Sequence, residues 1–430
     1  MNNKGGNNVS NVVASLDIGS SKVCATIAEI NKNQFNVLGV GTSECKGVKK
    51  GIIVDIDSTV QAIKSAVKQA EHMSNREIKS VYTNICGGYS TVYKNRGVIA
   101  VSREDKEITS EDVERVIDAA KVIAIPADKQ IVDIIPEQFI VDGYDGIRDP
   151  VGMVGVRLEV EANLIVASCT TVQNIIRSVQ KSDLQVDGII IEPMGTSTIV
   201  LNEDEKELGV ALIDVGAETT DISIFKKGCL NYTKVIPVGG NNITNDISIV
   251  CKISSQDAEK IKRQYGVANS NLIKNDEILK IPDLAGKGQK ELHLLDIAKI
   301  MDARISEMLY LIKEQLEASG EYEKLSAGIV ITGGGLFSIK GMLENCQNYF
   351  DIPIRFGYPN YIGVANPVYS ASSGIALYAL KQKRYSTVLN KSSKSYNDYD
   401  DDTYEEKKEE NTKSRPDFIE KVKEFFADFF

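Results

Sequence analysis

The chain lacks the features that mark a membrane-spanning or nucleic-acid-binding protein. It has no tryptophan, only ten prolines and two histidines in 430 residues. Nowhere do 18 apolar residues follow one another, so no stretch is long enough to cross a bilayer as a helix. The net charge is −10 and no long basic run offsets it. Nucleic acid is therefore not expected as a partner, because phosphate binding needs a basic surface.

The seven cysteines are scattered, odd in number and never spaced as C-x-x-C. A disulfide framework favours an even count and a zinc site favours clusters, so reduced thiols in a cytosolic compartment are expected. The first eleven residues have neither the basic nor the apolar region of a signal peptide and are expected to be flexible.

Two distant stretches follow the same plan, an apolar strand that reaches an Asp, a small polar turn and an alternating strand. They are "VVASLDIGSSKVCATIAEI" (12–30) and "GVALIDVGAETTDISIF" (209–225). Each reads as a β-hairpin and is followed by a third alternating run. The chain is also too long for one ordinary core. We therefore predict two duplicated halves.

Both hairpin tips have the chemistry that a polyphosphate requires. Glycine lets backbone N–H groups approach an anion, hydroxyl side chains add donors, and the Asp can hold hydrated Mg²⁺. One D-x-G sequence is more often an ordinary turn, whereas two copies in duplicated halves favour a shared site. "GIVITGGGLFSIKGM" (328–342) adds a glycine turn between a strand and a helix, where a flat ligand could lie close to the backbone. Neither G-x-G-x-x-G nor a P-loop is present, which disfavours the commoner nucleotide folds.

The sequences DIGSSK, DVGAETTD and TGGG, in this order, resemble the actin-like ATPase superfamily. The resemblance implies an α/β fold with duplicated actin-like (RNase H-type) lobes around a cleft that holds ATP and Mg²⁺. "VDGIIIEPMGTSTIVL" (186–201) is similar to the first helix connecting the lobes, and "NPVYSASSGIALYAL" (366–380) to the second.

Within that superfamily, "IRDPVGMVGVRLE" (147–159) resembles the relocated subdomain of the FtsA family of bacterial cell-division proteins. The family implies a filament-forming protein that binds ATP, recruits the tubulin-like FtsZ through its C-terminal peptide, and works with other division proteins. Its place would be the cytoplasmic face of the cell membrane at the division septum, as a peripheral protein. The domains implied are a first-lobe core at 12–85 completed by about 366–385, an inserted subdomain at 86–168, a second-lobe core at 169–241 and 311–365, and its small, FtsZ-docking subdomain at 242–310.

The resemblance also implies roles for single residues. Glu192 and Asp214 would be catalytic, Asp17 and Asp214 would hold the metal, and Arg304 would bind FtsZ. The position of Arg304 agrees almost equally well with a solvated side chain that pairs with Glu307. The ATP-binding residues implied are Asp17, Gly19, Ser20, Ser21, Lys22, Gly216, Ala217, Thr219, Gly239, Gly240, Asn241, Glu259, Lys262, Gly333, Gly334 and Gly335.

The second hairpin departs from the D-x-G-G-G-T pattern of many actin-like ATPases. Ala217 and Glu218 replace two glycines. The Ala methyl lies where backbone should approach phosphate, and the Glu218 carboxylate would repel a polyanion unless it points outward. These changes predict ATP binding with, at most, slow hydrolysis.

The C-terminus combines a polar linker with an apolar end. Residues 390–416 contain no Val, Ile, Leu, Met or Phe and are predicted to be disordered. Residues 417–430 form an amphipathic pattern that predicts a membrane-targeting helix. Its polar face is acidic, so docking onto the protein's own body or onto another protein stays open. The apolar face comprises Phe418, Ile419, Val422, Phe425, Phe426, Phe429 and Phe430.

Two other functions stay open at this stage. A pilus-assembly ATPase of the PilM type shares the relocated subdomain but binds a peptide of a membrane partner, and the apolar tail argues against it. A sugar kinase of the same fold would need a catalytic Asp and a sugar pocket, which the sequence does not indicate.

Overall fold

The computed structural model describes residues 12–282 and 288–395, and their side chains up to residue 383. Its strands are β1 (Val12–Ile18), β2 (Lys22–Asn31), β3 (Gln34–Glu44), β4 (Val48–Lys49), β5 (Ile52–Ile53), β6 (Ser80–Ile85), β7 (Ser90–Ala100), β8 (Lys129–Val141), β9 (Tyr144–Ile147), β10 (Arg157–Ser168), β11 (Gln185–Ile191), β12 (Val210–Val215), β13 (Thr220–Lys226), β14 (Cys229–Ile236), β15 (Ile278–Pro282), β16 (Gln289–His293), β17 (Ile329–Thr332) and β18 (Ile354–Phe356). Its α-helices are α1 (Ile56–Ser74), α2 (Ser110–Ala120), α3 (Cys169–Gln180), α4 (Glu192–Val200), α5 (Glu203–Leu208), α6 (Gly240–Cys251), α7 (Ser255–Tyr265), α8 (Leu294–Ala318), α9 (Met342–Tyr349) and α10 (Ser370–Ser395).

Two five-stranded sheets have the same topology, and each forms the centre of one lobe. The first-lobe sheet has the order β11-β6-β1-β2-β3, and the second-lobe sheet has the order β18-β17-β12-β13-β14. In each, three antiparallel strands are followed by two parallel strands. The parallel strands are reached through helices, as such crossovers require. The predicted duplication of the lobes is thus present strand by strand.

The two lobes begin with equivalent hairpins, formed by β1 and β2 (the first hairpin) and by β12 and β13 (the second hairpin). In the first, the Gly19 N–H donates to the Lys22 carbonyl at 3.0 Å, and in the second the Gly216 N–H donates to the Thr219 carbonyl at 2.8 Å. The inward-facing residues of both hairpins are buried. Buried strand residues on both sides fix the register, so each polar turn is held at the same edge of its sheet.

Helix α1 shows how local sequence places a helix on the first-lobe sheet. Asp55 caps its N-terminus by accepting a bond from the Ser58 N–H at 3.1 Å, which satisfies one of the free N–H groups there. Val60, Ile63 and Val67 recur at helical spacing and are buried. Burial of this apolar stripe stabilises the helix.

The inserted subdomain between β6 and α3 has its own small core. Its sheet has the order β7-β10-β8-β9, and α2 packs on one face. Val113 and Val116 of the helix and Leu158 and Val160 of β10 belong to one buried cluster. Thr109 starts α2 with a capping box. The unit comprises four strands and one helix.

Helices α4 and α10 connect the lobes and cross at two glycines. A Cβ atom on Gly374 would lie 2.3 Å from the Gly195 carbonyl oxygen, and one on Gly195 would lie 2.8 Å from Ile375 Cγ1. Only glycine permits so close an approach of two backbones. Beyond the crossing, Ile375 and Leu380 pack into a cluster with Val13 of β1.

Three predicted boundaries differ from the structure. The resemblance implies that the second-lobe core begins at 169, but β11 pairs with β6 in the first-lobe sheet, and α3 packs against α1 and β5. The apolar run of β11 predicts a buried strand without indicating which sheet receives it. The boundary at 310 falls inside α8, and α10 continues to Ser395, six residues into the predicted linker.

Among the described residues, no helix has the length and apolarity needed to cross a bilayer.

Candidate functional site

Both hairpins face one cleft between the lobes. Most of the predicted site residues lie at this cleft. Residues of both connecting helices and of the glycine turn also line it. The predicted residues that line the cleft are Asp17, Gly19, Ser20, Ser21, Lys22, Glu192, Asp214, Gly216, Ala217, Thr219, Gly333 and Gly334.

Asn84, at the end of β6, organises the carboxylates of the first lobe. Its amide nitrogen donates to Asp17 at 3.0 Å and to Glu192 at 3.3 Å. Its amide oxygen accepts from the Ile18 N–H at 2.9 Å. One side chain therefore fixes the first hairpin relative to the start of α4.

Asp17, Glu192 and Asp214 line this cleft, and Asp221 is buried close to them. Burial raises the pKa of Asp17 and, together with the neighbouring carboxylates, raises that of Glu192 well above its usual range. Burial, Asp221 and Asp17 raise the pKa of Asp214 to about 7, and burial raises the pKa of Asp221 to about 6. Crowded acids of this kind favour the binding of a cation.

Lys22 supplies a positive charge that opposes the rise of the Asp17 and Asp214 pKa values. Its ammonium group donates to the carbonyl of Val368 and lies 5.7 Å from the centre of the Tyr369 ring. Val368 and Tyr369 immediately precede α10. The first hairpin is thus tied to the helix that connects the lobes.

The glycine turn after β17 packs directly on the second hairpin. Gly333 has φ +89°, and a Cβ atom there would lie 2.3 Å from Asp214 Oδ1 and 2.4 Å from the Val215 carbonyl oxygen. A Cβ atom on Gly335 would lie 2.4 Å from the Gly216 carbonyl oxygen. Gly334 faces the cleft between them. The absence of side chains here is what allows the turn and the hairpin to meet.

The predicted residues at the start of α6 also contact the second hairpin. The Gly240 N–H donates to the Gly216 carbonyl at 3.0 Å, and the Asn241 N–H donates to the Ala217 carbonyl at 2.7 Å. Gly239 occupies the N-cap of α6. These three residues support the hairpin from behind and are not among the residues that line the cleft in the described part of the chain.

Glu259 and Lys262, both predicted to bind ATP, form an ion pair in which Lys262 is buried and Glu259 is half-buried. Their side chains lie 2.6 Å apart, and the Lys262 ammonium also donates to the Gly240 carbonyl at 3.0 Å and to Thr244 at 2.8 Å. The pair therefore links α7 to the start of α6. Neither residue is among those that line the cleft in the described part of the chain.

Glu218 points away from the cleft, which was the open question in the second hairpin. Its carboxylate accepts a hydrogen bond from the Lys50 N–H at 2.7 Å. Lys50 belongs to the first lobe, in the turn between β4 and β5. The charge expected to repel a polyanion is thus engaged by a backbone donor of the opposite lobe.

Two cleft residues were missed by reasoning from the sequence. Asp221 accepts from Cys86 Sγ at 3.0 Å and from the Gly88 N–H at 3.3 Å, and Asn84 holds Asp17 and Glu192. Asp221 is the last letter of the DVGAETTD sequence, one residue into β13, so the signal was present. Asn84 had none beyond its place at the end of a buried strand.

Arg304, predicted to bind a partner, is engaged by two carboxylates. Its guanidinium donates to Asp246 at 2.5 and 3.0 Å and also to Glu307. Asp246 is on α6 and Glu307 is on the same helix as Arg304. The pairing with Glu307 that the sequence suggested is present, with a second acid added.

The seven apolar tail residues from Phe418 to Phe430 lie outside the described residues.

No group of three or more His, Cys, Asp or Glu side chains in the described ranges is arranged as a ready-made metal site. Mg²⁺ keeps several waters and is often held by one or two carboxylates together with phosphate oxygens. Asp17 and Asp214, facing each other from the two hairpins with their neighbouring acids, fit that mode of binding.

Two family models match the chain. One, described as cell division protein FtsA, covers residues 211–374, and another, an SHS2 domain inserted in FtsA, covers residues 87–166. The second match lies within the subdomain formed by β7 to β10 and α2.

Curated relatives match over nearly the whole chain. The cell division protein FtsA of Pseudomonas aeruginosa is 37% identical over 391 residues, which cover 90% of this chain and 93% of the relative. FtsA of Bacillus subtilis is 40% identical, covering 88% of this chain and 85% of its own length. FtsA of Escherichia coli is 34% identical, covering 85% and 90%.

Solved structures of low sequence identity share the fold. The PilM-PilN type IV pilus biogenesis complex matches with a TM-score of 0.59 at 14% identity, covering 86% of this chain and 98% of the other. The MamK double helical filament matches with a TM-score of 0.50 at 15% identity, over 86% and 98%. These likenesses confirm the predicted actin-like fold class. The relatives at 34–40% identity over 85–90% of this chain show that it belongs to the FtsA family of cell division proteins.

Proposed function

We propose that the chain is an ATP-binding division protein that polymerises at the cytoplasmic face of the membrane and tethers FtsZ filaments to it at the septum. The observation that supports nucleotide binding is the convergence of two equivalent hairpins, Lys22 and the buried carboxylates on one cleft. Such a cleft offers backbone and cationic groups to phosphate and acidic groups to its metal.

Within this proposal, the roles follow from position. Lys22 and the Ser20 and Ser21 turn meet phosphate from the first lobe, and Gly216 and Thr219 meet it from the second. Asp17 and Asp214 hold the hydrated Mg²⁺, which would neutralise phosphate charge. Among the acids that line the cleft, Glu192 is assigned a catalytic role. Slow turnover is expected because Ala217 and Glu218 replace two glycines of the second hairpin.

Calorimetric titration of the full chain with ATP tests the proposal. We expect saturable binding at one site that weakens when Mg²⁺ is chelated. Steady-state hydrolysis should stay below about one ATP per second, the low end of ordinary enzyme turnover. Absence of binding would remove the nucleotide from the proposal, and turnover of many ATP per second would contradict the slow ATPase.

Exposed apolar side chains on two different subdomains support polymerisation. Val154 of the inserted subdomain is 69% exposed and Ile249 of α6 is 73% exposed. Two unlike surfaces on one chain favour head-to-tail contacts, which extend without closing. MamK, which shares this fold, forms a double helical filament.

A mixing experiment tests head-to-tail assembly. We expect Val154→Asp and Ile249→Asp each to stop filament growth, measured by sedimentation. The mixture should form heterodimers, because each variant retains the surface that the other has lost. Failure of the mixture to dimerise would contradict a head-to-tail contact between these surfaces.

Arg304 is proposed to bind the FtsZ C-terminal peptide from the small subdomain. It is half-buried between Asp246 and Glu307, so an acidic peptide would compete with two internal acids. We expect Arg304→Glu to weaken peptide binding measured by fluorescence anisotropy. Lys299→Glu on the same helix is the matched charge control, since Lys299 forms only an exposed pair with Asp296. Equal affinities of the parent and Arg304→Glu would contradict the assignment.

The tail at 417–430 is proposed to bind the membrane through its apolar face. Seven large apolar side chains give a gross gain of roughly 10–20 kcal/mol before ordering costs, so one tail binds weakly and a filament binds by avidity. We expect Phe426→Asp to abolish co-sedimentation with liposomes. Ala427→Asp adds the same charge on the opposite side of the predicted helix and should have little effect. Equal pelleting of the parent and Phe426→Asp would favour docking onto a protein instead.

A pilus-assembly role is the alternative that the shared fold of PilM suggests. The relatives that match at 34–40% identity are cell division proteins, whereas PilM shares only the fold. Binding of a pilus-protein peptide in preference to the FtsZ peptide would support this alternative.

A further inference from the structure

The turn at Lys50 and Gly51, hereafter the bridge turn, contacts both hairpins of the cleft. The Gly51 N–H donates to Ser20 Oγ of the first hairpin at 2.9 Å. The neighbouring Lys50 N–H donates to the Glu218 carboxylate of the second hairpin at 2.7 Å. Two consecutive backbone donors thus span the mouth of the cleft between the lobes.

The bridge turn is rigid because of its backbone conformation. Lys50 has φ +49° and Gly51 has φ +78°, as in the two-residue turns that connect antiparallel strands. Strands β4 and β5 pair on either side of it, and Val48 and Ile53 are buried in the first-lobe core. The two N–H groups are therefore presented in a fixed direction.

The bridge turn also rests on the root of the inserted subdomain, residues 86–89. The Tyr89 hydroxyl donates to the Lys50 carbonyl at 2.5 Å. A Cβ atom on Gly51 would lie 3.1 Å from Tyr89 Cε2, so the ring lies against the turn. The same root is fixed to the second lobe, because the Gly88 N–H donates to Asp221 and its Cα packs against Val235.

We propose that Glu218 is a latch residue, which holds the cleft closed through the bridge turn and couples closure to the root of the inserted subdomain. For the lobes to separate, the bond between Glu218 and the Lys50 N–H must break. The hydroxyl of Tyr89 then bonds to a bridge turn that Glu218 no longer holds in place. The kinetic consequence, slow release of a nucleotide, rests on the proposed function, whereas the latch itself is a property of the protein without ligand.

Hydrogen exchange of the nucleotide-free chain tests the latch directly. We expect Glu218→Ala to raise the exchange rate of the Lys50 amide by about tenfold, because a hydrogen bond to a charged acceptor protects it. Glu218→Gln retains an acceptor oxygen and should keep most of the protection. Unchanged exchange in Glu218→Ala would overturn the proposal, whatever the protein binds.

Release of a fluorescent ATP analogue, measured by stopped flow, distinguishes a latch from simple charge repulsion. If Glu218 acts only by repelling phosphate, both Glu218→Ala and Glu218→Gln will slow release. A latch predicts that Glu218→Ala releases the analogue about tenfold faster, equivalent to about 1.4 kcal/mol, while Glu218→Gln stays near the parent. Equal or slower release from Glu218→Ala, or equally fast release from both variants, would overturn the latch. A parent that binds no analogue would contradict the proposed function and leave the exchange result to decide on the latch.

A double-mutant cycle with Tyr89→Phe tests the coupling. If Tyr89 positions the bridge turn for Glu218, removing its hydroxyl will matter less once Glu218 is already Ala. We expect the Lys50 amide to exchange about threefold faster in Tyr89→Phe alone, with little further change in the double variant, because the shared bond is already lost. Additive effects would show that Tyr89 and Glu218 act independently and would overturn the coupling.

Discussion

The two hairpins have the same backbone turn but pack against different elements. Gly19 and Gly216 make the same turn bond, and a Cβ atom on either would lie 3.2 Å from the carbonyl oxygen of Lys22 or Thr219. The first hairpin is tied to the connecting helix α10 through Lys22. Apart from the Glu218 bond to the bridge turn, the second packs within its own lobe, between the glycine turn and the start of α6.

The difference separates two tasks that a duplicated motif could have shared. The first hairpin carries the cation and is attached to the element that joins the lobes. The second carries additional acid and is fixed against glycine backbone. Duplication therefore supplied two copies of a turn, and their neighbours determine that the first contacts the segment before α10 and the second packs on the glycine turn.

The strongest test of the enclosed second hairpin is Gly333→Ala. The new methyl group would meet Asp214 and the Val215 backbone in a left-handed conformation, and we expect a loss of about 3 kcal/mol or more in stability. Gly363→Ala is the matched control, because Gly363 has φ +87° but nothing within 4 Å of a Cβ atom. Denaturant unfolding of both measures the difference. Equal losses would show that the close approach costs nothing beyond backbone strain.

The next test concerns the cation that only the first hairpin carries. Lys22→Ala should weaken ATP binding by about thirtyfold, since a charge-assisted bond contributes roughly 2 kcal/mol. Thr219→Ala, at the equivalent position of the second hairpin, should weaken it by only a few fold, as expected for a neutral hydroxyl. Calorimetric titration of both variants gives the comparison. A larger loss from Thr219→Ala would reverse the assignment of the hairpins.

The acids at the two strand ends should respond differently to pH. Because the pKa of Asp214 is raised from 3.8 to about 7 in the folded protein, the folded form binds the extra proton between these values. Its contribution to stability therefore falls as pH rises from about 4 to 7, by at most about 1.4 kcal/mol per pH unit.

Replacing Asp214 by Asn should remove much of this slope, measured by denaturant unfolding from pH 5 to 8. Asp17→Asn should remove less, because Lys22 and Asn84 oppose the effect of burial on the Asp17 pKa. A slope unchanged in Asp214→Asn would show that Asp214 ionises normally in the fold.

The smallest effect is expected at Gly19 and Gly216, and it tests whether the two turns are equivalent. Gly19→Ala and Gly216→Ala each place a methyl 3.2 Å from one carbonyl oxygen, and neither glycine has a positive φ. We expect each to change stability by less than about 1 kcal/mol, since a small steric cost is offset by the lower entropy of the unfolded chain. A difference between the two larger than that would show that the turns are not equivalent.

Much of the fold was predictable because its signals are local. The alternation around DIGSSK and DVGAETTD gave both hairpins, and the apolar run before three glycines gave β17 and its turn. The inserted subdomain followed from 147–159. The fold class and family predicted from these motifs are confirmed by the relatives and the shared fold.

What could not be predicted depends on partners far along the chain. The direction of the Glu218 side chain is set by a backbone donor in another lobe. The membership of β11 in the first sheet is set by its pairing with β6, and apolarity alone does not choose between two sheets. The extension of α10 to Ser395 runs against a composition that predicts disorder. In the first two cases the deciding contact is non-local.

The crossing of α4 and α10 has a mechanical consequence. Helices that interdigitate side chains turn relative to each other in steps, because ridges must leave one set of grooves and enter another. At Gly195 and Gly374 backbone meets backbone, so there are no ridges to disengage. The crossing is a smooth pivot, which lets the lobes rotate by small continuous angles and leaves the stopping points to contacts at the rim of the cleft.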